Sequence, residues 1–380
     1  MPSLSDEAGV VKERGGRHAA PVARGTLRPL MSVSAELGSE STPLVSVLLA
    51  SRNGARYVGE ALESVAAQSY SPIEIVAVDD GSDDDTGDIL RRFAARRAGM
   101  RVLRTAGVGV AAALNLAARE ARGPLFARHD DDDRSHPERI ERQVRHLAAH
   151  SEIGVVGSAA TRIDADGRAI GSYAVPLGSP AIAASLRRGT PFVGGAVLMR
   201  REVYEAAGGY RAAFRVAEDL DLWLRIAPLA GLANLPQELY CWREHPGGSF
   251  ARARGLQIYY AAVAREFAVE RACRGEDSIA LLERSVDGHA FLNAYPRAAR
   301  LATRWGESLV RDGRTSEARR VLRGALARWR CEPSAAARAF AWWSASWGAA
   351  ITPRGLRNRA ATPASDAMSP RVLAPPGERW

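Results

Sequence analysis

The chain has 380 residues, 46% of them hydrophobic and 25% charged, which is enough for about two or three globular domains. Its formal net charge of +9 arises in the C-terminal part, because residues 251–380 carry 22 Arg against 12 Asp or Glu. That charge comes with no zinc-finger, helix-turn-helix or RNA-binding signature, which argues against nucleic acid and favours an anionic membrane surface or an acidic partner.

The first part of the chain predicts a leader followed by alternating strands and helices. Residues 1–42 are rich in Gly, Ser, Pro and charge, which is typical of disorder. From there, apolar β-branched runs predict strands at 44–50, 73–78, 102–103 and 124–127. Helical patterns fall between them at about 55–68, 84–98 and 108–121.

The pattern changes further along the chain. A helix is predicted over 137–149, strands over 154–163 and 193–199, and a helix from 218 to about 229. Beyond residue 250 the sequence is Ala- and Arg-rich and wholly helical in pattern, with a turn at Asp312-Gly313. We expect a catalytic domain over 43–250 and a helical C-terminal region over 251–380, disordered from about residue 352.

Polar clusters follow three of the predicted strands. Ser51-Arg52-Asn53 follows the first strand, Asp79-Asp80-Gly81-Ser82 the second, and Asp130 to Asp133 the fourth. Strand-helix alternation predicts a parallel sheet covered by helices on both faces. Ligands of such sheets bind outside the C-terminal ends of the strands, so the three clusters predict one site at that edge.

The run of four carboxylates from Asp130 to Asp133 allows two interpretations. A divalent cation would offset their mutual repulsion, and oxygen ligands select Mg²⁺ or Mn²⁺, which are held by one or two carboxylates plus substrate phosphates. Alternatively, the run is a solvated turn before the next helix, which Ser135 and Pro137 suit as a start. The run alone does not decide between them.

Two other acidic pairs have both a structural and a functional interpretation. Asp79 and Asp80 could cap the following helix, or could accept hydrogen bonds from a nucleotide base and ribose. Glu218 and Asp219 begin a helix, where acidic side chains favour the positive helix end, or one of them could be a general base. The sequence has no Rossmann G-x-G-x-x-G, P-loop, G-x-S-x-G or H-E-x-x-H motif, so hydride transfer, P-loop chemistry and zinc hydrolysis lose support.

Taken in order, these segments resemble the bacterial family 2 glycosyltransferases, and the resemblance covers about residues 44–250. The matching segments are Val45-Ser46-Val47 with Asn53, Val78-Asp79-Asp80-Gly81-Ser82, Asn115, Ala127-Arg128-His129-Asp130-Asp131-Asp132-Asp133, Pro137-Glu138-Arg139, Gly208-Gly209-Tyr210 and Glu218-Asp219-Leu220-Asp221-Leu222-Trp223-Leu224-Arg225. Each segment is weakly specific by itself, whereas their order and spacing together are highly specific. The resemblance implies a GT-A fold: a Rossmann-like, mixed and mainly parallel sheet flanked by helices.

The resemblance also implies roles for individual residues. Contacts with the nucleotide-sugar would come from Ser51, Asn53, Asp79, Asp80, Asn115, Arg128, Asp130 and Asp131. Asp130 and Asp132 would form the D-x-D motif, with Asp132 the first candidate for ligating Mg²⁺ or Mn²⁺ and His245 a further candidate. Asp219 is the first choice of catalytic base and Glu218 the second, and Asp131 and Asp133 are supporting or capping groups.

The implied activity is inverting transfer of one sugar from a nucleoside-diphosphate sugar to a saccharide or lipid-linked hydroxyl acceptor. Gly194-Gly195 stands where many relatives place a polar side chain, so the acceptor is not readable. Transmembrane segments and the Q-x-x-R-W motif of processive synthases are absent from the sequence, which favours single transfer. The alternatives are a non-catalytic nucleotide-sugar-binding scaffold and a sugar nucleotidyltransferase.

The C-terminal region bears on location. Residues 335–351 contain one Phe and three Trp and are flanked by arginines, which suits either a membrane interface or packing on the catalytic domain. The three cysteines, Cys241, Cys273 and Cys331, have neither disulfide-framework nor zinc spacing. With no signal-peptide core at the N-terminus, we expect a cytoplasmic protein with reduced thiols, in peripheral contact with the inner face of the cell membrane if that interface exists.

Overall fold

A computed structural model describes residues 42–248, 254–285, 291–292, 295, 298–311, 313–326 and 340–343. The predicted leader, apart from its last residue, and the predicted tail lie outside these ranges. So does Cys331, while Cys241 and Cys273 are free thiols.

Nine strands form one mixed sheet. They are β1 Val45–Ser51, β2 Ile73–Asp79, β3 Met100–Arg104, β4 Leu125–Asp130, β5 Arg134–Ser135, β6 Ile153–Ile163, β7 Ala169–Tyr173, β8 Leu198–Arg200 and β9 Gly231–Arg243. Their order is β3-β2-β1-β4-β8-β6-β9-β5, and β7 pairs with β6. The β3-β2-β1-β4 part is parallel, as is β6 with β9, while β8, β7 and β5 pair antiparallel.

Helices cover both faces of the sheet and continue into the C-terminal region. They are α1 Val58–Ala66, α2 Thr86–Arg96, α3 Val110–Glu120, α4 Arg139–Ala149, α5 Ser179–Arg188, α6 Arg201–Ala206, α7 Glu218–Ile226, α8 Arg254–Arg274, α9 Ile279–Arg284, α10 Ala298–Arg311 and α11 Thr315–Leu326. Of the turn predicted at Asp312-Gly313, Gly313 lies in a turn between the helix that ends at Arg311 and the helix that begins at Thr315, while Asp312 lies outside the described residues.

The central strands are apolar throughout because both of their faces are buried. Along β1, Leu48 packs into one hydrophobic cluster, whereas Val47 and Leu49 pack into the cluster on the other face. Side chains alternate between faces along a strand, so a continuous apolar run is what a doubly covered parallel strand requires. The predicted alternation of strands and helices is confirmed for this half of the sheet.

The C-terminal helices share a core with the catalytic domain. Helix α8 packs against α7, and Phe214 forms ring contacts with Tyr260 and Phe267 of α8 at centroid distances of 5.8 and 6.1 Å. Trp342 and Trp343 pack against the same cluster, whereas Phe340 is 59% exposed. The boundary predicted at residue 250 therefore does not separate two hydrophobic cores.

One predicted strand is only partly present. Residues Gly194–Ala196 form a 3₁₀ turn, and β8 begins only at Leu198, so the strand predicted over 193–199 is wrong in its first half. Two adjacent glycines favour such a turn because they carry no side chain to restrict the backbone.

The helices of the described residues include no candidate for a membrane-spanning segment, since none combines the required length with sufficient hydropathy.

Candidate functional site

The polar clusters predicted to converge do lie at one edge of the sheet. In the parallel register, Ser51 at the end of β1 is opposite Asp79 of β2, and Ala50 is opposite Asp130 of β4. Parallel strands bring their C-terminal ends to the same edge, and the following loops carry the side chains over it.

The loop after β1 fits tightly around the acidic cluster. The Ser51 hydroxyl donates a hydrogen bond to Oδ2 of Asp131. Asn53 has a left-handed backbone with φ of 56° and accepts the backbone N–H of Asp83 at 3.0 Å. A side chain at Gly54 would collide with the Asp131 carboxylate, so the loop can approach Asp131 only with glycine there.

Asp79 and Asp80 are buried, and protein groups already bind their carboxylates. Asp79 accepts the backbone N–H of Ser82 at 2.9 Å and an Arg104 guanidinium N–H at 3.0 Å. Asp80 accepts the backbone N–H groups of Val108 and Gly109 at 2.7 and 2.8 Å, and the Thr105 hydroxyl as well. Both carboxylates therefore shape the loops around the site, and their contacts with a nucleotide stay a prediction.

Asn115 holds the loop Gly208-Gly209-Tyr210 before α7, which we call the glycine loop. Its side-chain N–H donates to the Tyr210 carbonyl at 2.7 Å, and its oxygen accepts the Tyr210 backbone N–H at 2.9 Å. The Tyr204 hydroxyl donates to the same oxygen. This pairing with both backbone groups of Tyr210 is a positioning contact, and binding of the nucleotide-sugar by Asn115 stays a prediction.

Arg128 connects the acidic cluster to α7. Its buried guanidinium lies 3.1 Å from Oδ1 of Asp130 and 3.4 Å from Oε1 of Glu218. Although burial lowers the pKa of Arg128, the surrounding carboxylates raise it well above its usual value, so it stays charged. The cluster after β4 and the start of α7 are therefore within reach of one side chain.

Asp131 and Asp132 carry negative charge that is incompletely balanced. Burial and the adjacent Asp132 raise the pKa of Asp131 to about 7. Burial and Asp130 also raise the pKa of Asp132, although His245 opposes this. His245 reaches this point from the loop after β9, with its Nε2 3.0 Å from Oδ2 of Asp132.

Asp133 and Arg243 form hydrogen bonds that hold the acidic cluster in place. Asp133 is 1% exposed and accepts the backbone N–H of Arg243 at 2.7 Å. Arg243 in turn donates to the Asp132 carbonyl at 2.6 Å and to the Glu60 carboxylate at 2.6 Å. Asp133 is thus inaccessible to a ligand, and its supporting role stays a prediction.

Glu218 and Asp219 start α7 opposite this cluster. Burial raises the pKa of Glu218 to about 7, against the lowering effect of Arg128, and burial also raises the pKa of Asp219. Asp219 is more exposed than Glu218, which is only 6% exposed. Ala217 before them has a left-handed φ of 57°, which is rare without glycine and fixes the direction in which the helix starts.

The Gly194-Gly195 turn faces both acidic groups. A Cβ at Gly194 would lie 3.2 Å from Nη1 of Arg128, which is a tight contact, and 3.5 Å from Oδ2 of Asp219. A Cβ at Gly195 would lie 2.9 Å from Oδ2 of Asp130 and would collide with the Tyr240 hydroxyl. The second glycine is therefore sterically required, whereas a methyl group at the first would require a shift of only a few tenths of an ångström at Arg128.

Replacing Gly195 with Ala should damage the site far more than replacing Gly194. The added methyl must displace Tyr240, whose hydroxyl accepts the Asp130 backbone N–H at 3.1 Å, and such overpacking costs about 1–3 kcal/mol. Thermal unfolding of Gly194→Ala and Gly195→Ala, measured side by side, checks this. Equal melting temperatures for the two variants would contradict the steric argument.

The residues present fit a divalent cation. Two neighbouring ligands of an octahedral ion, each about 2.1 Å from it, are about 3 Å apart. This matches the separation of Asp132 and His245. The described residues contain no group of three or more His, Cys, Asp or Glu side chains able to hold a metal alone. Asp130 is paired instead with Arg128.

Several site residues were missed by sequence reasoning. Arg139 is fully buried and donates to the Arg128 carbonyl at 3.2 Å and to the Gly195 carbonyl, joining β4 to the glycine turn. Tyr240 and Arg243 come from β9, which was not identified as a strand. Two signals were available in the sequence: Arg139 ends the matching segment Pro137-Glu138-Arg139, and Arg243 lies two residues before His245.

Comparison with known proteins identifies similarity to glycosyltransferases, both in a family model and in individual relatives. A family model described as glycosyl transferase family 2 matches residues 46–208. EpsE of Bacillus subtilis (strain 168), named as a glycosyltransferase, is 34% identical over 239 residues, which is 62% of this chain and 83% of EpsE. The amylovoran biosynthesis glycosyltransferase AmsE of Erwinia amylovora is 32% identical over 185 residues, which is 47% of this chain and 68% of AmsE.

Solved structures share the fold. The crystal structure of S. aureus TarS 1–349 in complex with UDP-GlcNAc superposes with a TM-score of 0.53 at 16% identity, covering 82% of this chain and 92% of that one. The complex with UDP gives a TM-score of 0.50. At this identity the likeness establishes the fold, which is of the GT-A type, and the expected fold class is confirmed.

Proposed function

Given that this chain belongs to glycosyl transferase family 2, we propose that it moves one sugar, with inversion, from a nucleoside-diphosphate sugar to a hydroxyl acceptor in cell-surface glycan or glycolipid assembly. The observation that carries the proposal is the reach of Arg128, which pairs with Asp130 on one side and Glu218 on the other. It brings the carboxylates suited to a diphosphate-metal group next to those suited to a base. AmsE is named as an amylovoran biosynthesis glycosyltransferase, and the similarity to AmsE supports a role in glycan assembly.

Asp219 is proposed as the group that takes the acceptor's proton. It is the more exposed member of the acidic pair, and its Oδ2 lies next to Gly194, where glycine places no side chain between Asp219 and an approaching acceptor. Its Oδ1 accepts the backbone N–H of Leu220 at 2.7 Å, which fixes the carboxylate orientation and leaves Oδ2 for the acceptor. Attack from this side, opposite the departing diphosphate, would invert the anomeric carbon.

The proposed cation site consists of Asp132 and His245, with Asp130 adjacent. A bound Mg²⁺ or Mn²⁺ would neutralise charge on the departing nucleoside diphosphate. Ser51 and Asp131 support the site by their mutual hydrogen bond. Arg128 keeps its positive charge among the carboxylates and so limits repulsion between Asp130, Glu218 and an incoming diphosphate.

The proposal is tested by incubating the purified full chain with a panel of UDP-, GDP- and dTDP-sugars in MnCl₂ or MgCl₂. Release of a nucleoside diphosphate is the expected result, because glycosyl transfer and slow donor hydrolysis both produce it. Pyrophosphate as the product would replace the proposal with a sugar nucleotidyltransferase. Saturable donor binding without turnover, with or without candidate saccharide acceptors, would leave a binding scaffold instead.

The rate should begin to fall at a higher pH than it would if the base were a solvent-exposed carboxylate. Burial raises the pKa of Glu218 to about 7 and also raises that of Asp219. A base acts only as the carboxylate, so protonation below these raised values removes the active form. A solvent-exposed carboxylate, with a pKa of about 4, would keep the rate constant down to a pH of about 5. A kcat/KM that stays constant down to a pH of about 5 would contradict the assignment.

A further inference from the structure

A buried ionic network connects α7 with the C-terminal helices. Asp221 of α7 is fully buried, and its Oδ2 accepts a hydrogen bond from Arg225 one turn later at 2.9 Å. Its Oδ1 accepts no hydrogen bond within the described structure and lies 3.6 Å from the guanidinium of Arg211. Arg211 is therefore needed to compensate the second half of this carboxylate, since a buried charge without a partner is costly.

Arg211 is held in place from the C-terminal region. Its guanidinium donates to Oδ2 of Asp277 at 2.7 Å, and the same oxygen pairs with Arg271 of α8. Asp277 lies in the turn between α8 and α9, where its side chain is 2% exposed and its Oδ1 accepts the backbone N–H of Ile279 at 3.1 Å. Despite burial, these two arginines keep the pKa of Asp277 below its usual value.

The network ends at Asp221, two residues after the proposed base. Asp221 is two residues after Asp219 in the same helix, and Arg225 also donates to the Ala207 carbonyl, which anchors α7 to the glycine loop. Arg211 directly follows Tyr210, whose ring faces the Arg128 guanidinium at 6.0 Å. Displacement of Arg211 would thus disturb the start of α7 both through the helix and through the Tyr210-Arg128 contact.

We propose that Asp277 is a positioning residue for Glu218 and Asp219, acting through Arg211 and Asp221, so that the C-terminal helices belong to the catalytic machinery. This rests on the proposed function only for the identity of the base. The physical reason is that the left-handed Ala217 leaves the first turn of α7 dependent on side-chain anchors. One of these anchors is Arg211, and the residue that holds Arg211 is Asp277, which lies outside residues 43–250.

The test compares Asp277→Asn with Glu270→Gln in the full chain. Glu270 is a matched control because it is also buried, at 3% exposure, and within the described residues its carboxylate accepts the Ser278 backbone N–H and the Tyr295 hydroxyl. Amide hydrogen exchange without ligand should become about 10-fold faster at 217–222 in Asp277→Asn, and unchanged there in Glu270→Gln. With any donor that the panel assay identifies, kcat should fall about 10- to 100-fold in Asp277→Asn while donor KM changes less than about 2-fold.

Asp277→Asn leaves two arginines without their shared carboxylate and could unfold the chain. In that case the double variant Asp277→Asn with Arg271→Gln restores the charge balance while still releasing Arg211. Wild-type exchange and wild-type kcat in the folded variant would overturn the proposal, as would equal effects of Asp277→Asn and Glu270→Gln on α7. Faster exchange at α7 in a chain that transfers no sugar would support the network and reject the proposed function.

Discussion

The Asp132→Asn variant is expected to lose about 100- to 1,000-fold in the rate of nucleoside diphosphate release, corresponding to several kcal/mol of lost charge stabilisation. Asp132 is the carboxylate that meets His245 at 3.0 Å, and burial first and the neighbouring Asp130 second raise its pKa. Asparagine keeps the shape of the side chain but removes its negative charge. The measurement is initial rate against MnCl₂ concentration, from zero metal with EDTA to saturation.

Asp83→Asn is the matched control, because Asp83 lies in the neighbouring loop after β2 and its side chain is exposed. It should keep the wild-type rate and the wild-type dependence on MnCl₂. The metal assignment would be lost if Asp132→Asn retained both, or if EDTA left the wild-type rate unchanged. A loss in Asp132→Asn that excess MnCl₂ partly restores would be the clearest support.

The Asp219→Asn variant should lose about 100- to 10,000-fold in kcat, because an amide cannot accept the proton of the acceptor hydroxyl. Binding of the donor should change little, since the proposed contacts of Asp219 are with the acceptor. The pair of measurements is kcat for transfer and the dissociation constant of the intact nucleotide-sugar from calorimetry. A parallel loss of donor binding would indicate a different role for Asp219.

Glu218→Gln distinguishes the two acidic residues at the start of α7. Glu218 is buried and paired with Arg128 at 3.4 Å, so its loss should lower kcat less and should weaken the tie between β4 and α7. If Glu218→Gln instead abolishes transfer while Asp219→Asn keeps most of it, the base is Glu218. The acid limb of the pH profile should move in whichever variant removes the titrating group.

The half of the fold built from local patterns was predictable from sequence. Strands such as β1 and β2 are doubly buried, so apolar composition alone identifies them, and the polar residues after them reveal the edge where ligands bind. The second half was not. Strand β9 includes Pro236, Glu238 and exposed positions, and β7 is almost wholly exposed, so neither has the apolar run by which strands are recognised.

Site residues divide in a similar way. The family resemblance predicts Asp132 and His245 as candidate metal ligands, and in the structure Oδ2 of Asp132 lies 3.0 Å from Nε2 of His245. By contrast, the links made by Arg128 to Glu218 and by Arg139 to Gly195 join segments that are far apart in the chain. No spacing in one sequence encodes such pairs, because they depend on the crossing of elements in space. The chemical roles of these residues stay predictions until the variants are measured.

The shared core between α7 and α8 also limits how this protein can be divided. Phe214 is covered by Tyr260 and Phe267, so a fragment ending at residue 250 would present their binding surface to water as an aromatic patch. Such patches promote self-association. Chimeras that exchange acceptor preference between relatives should therefore cross over beyond Ser285 and not at the end of β9, so that the α7–α8 contact is inherited from one parent.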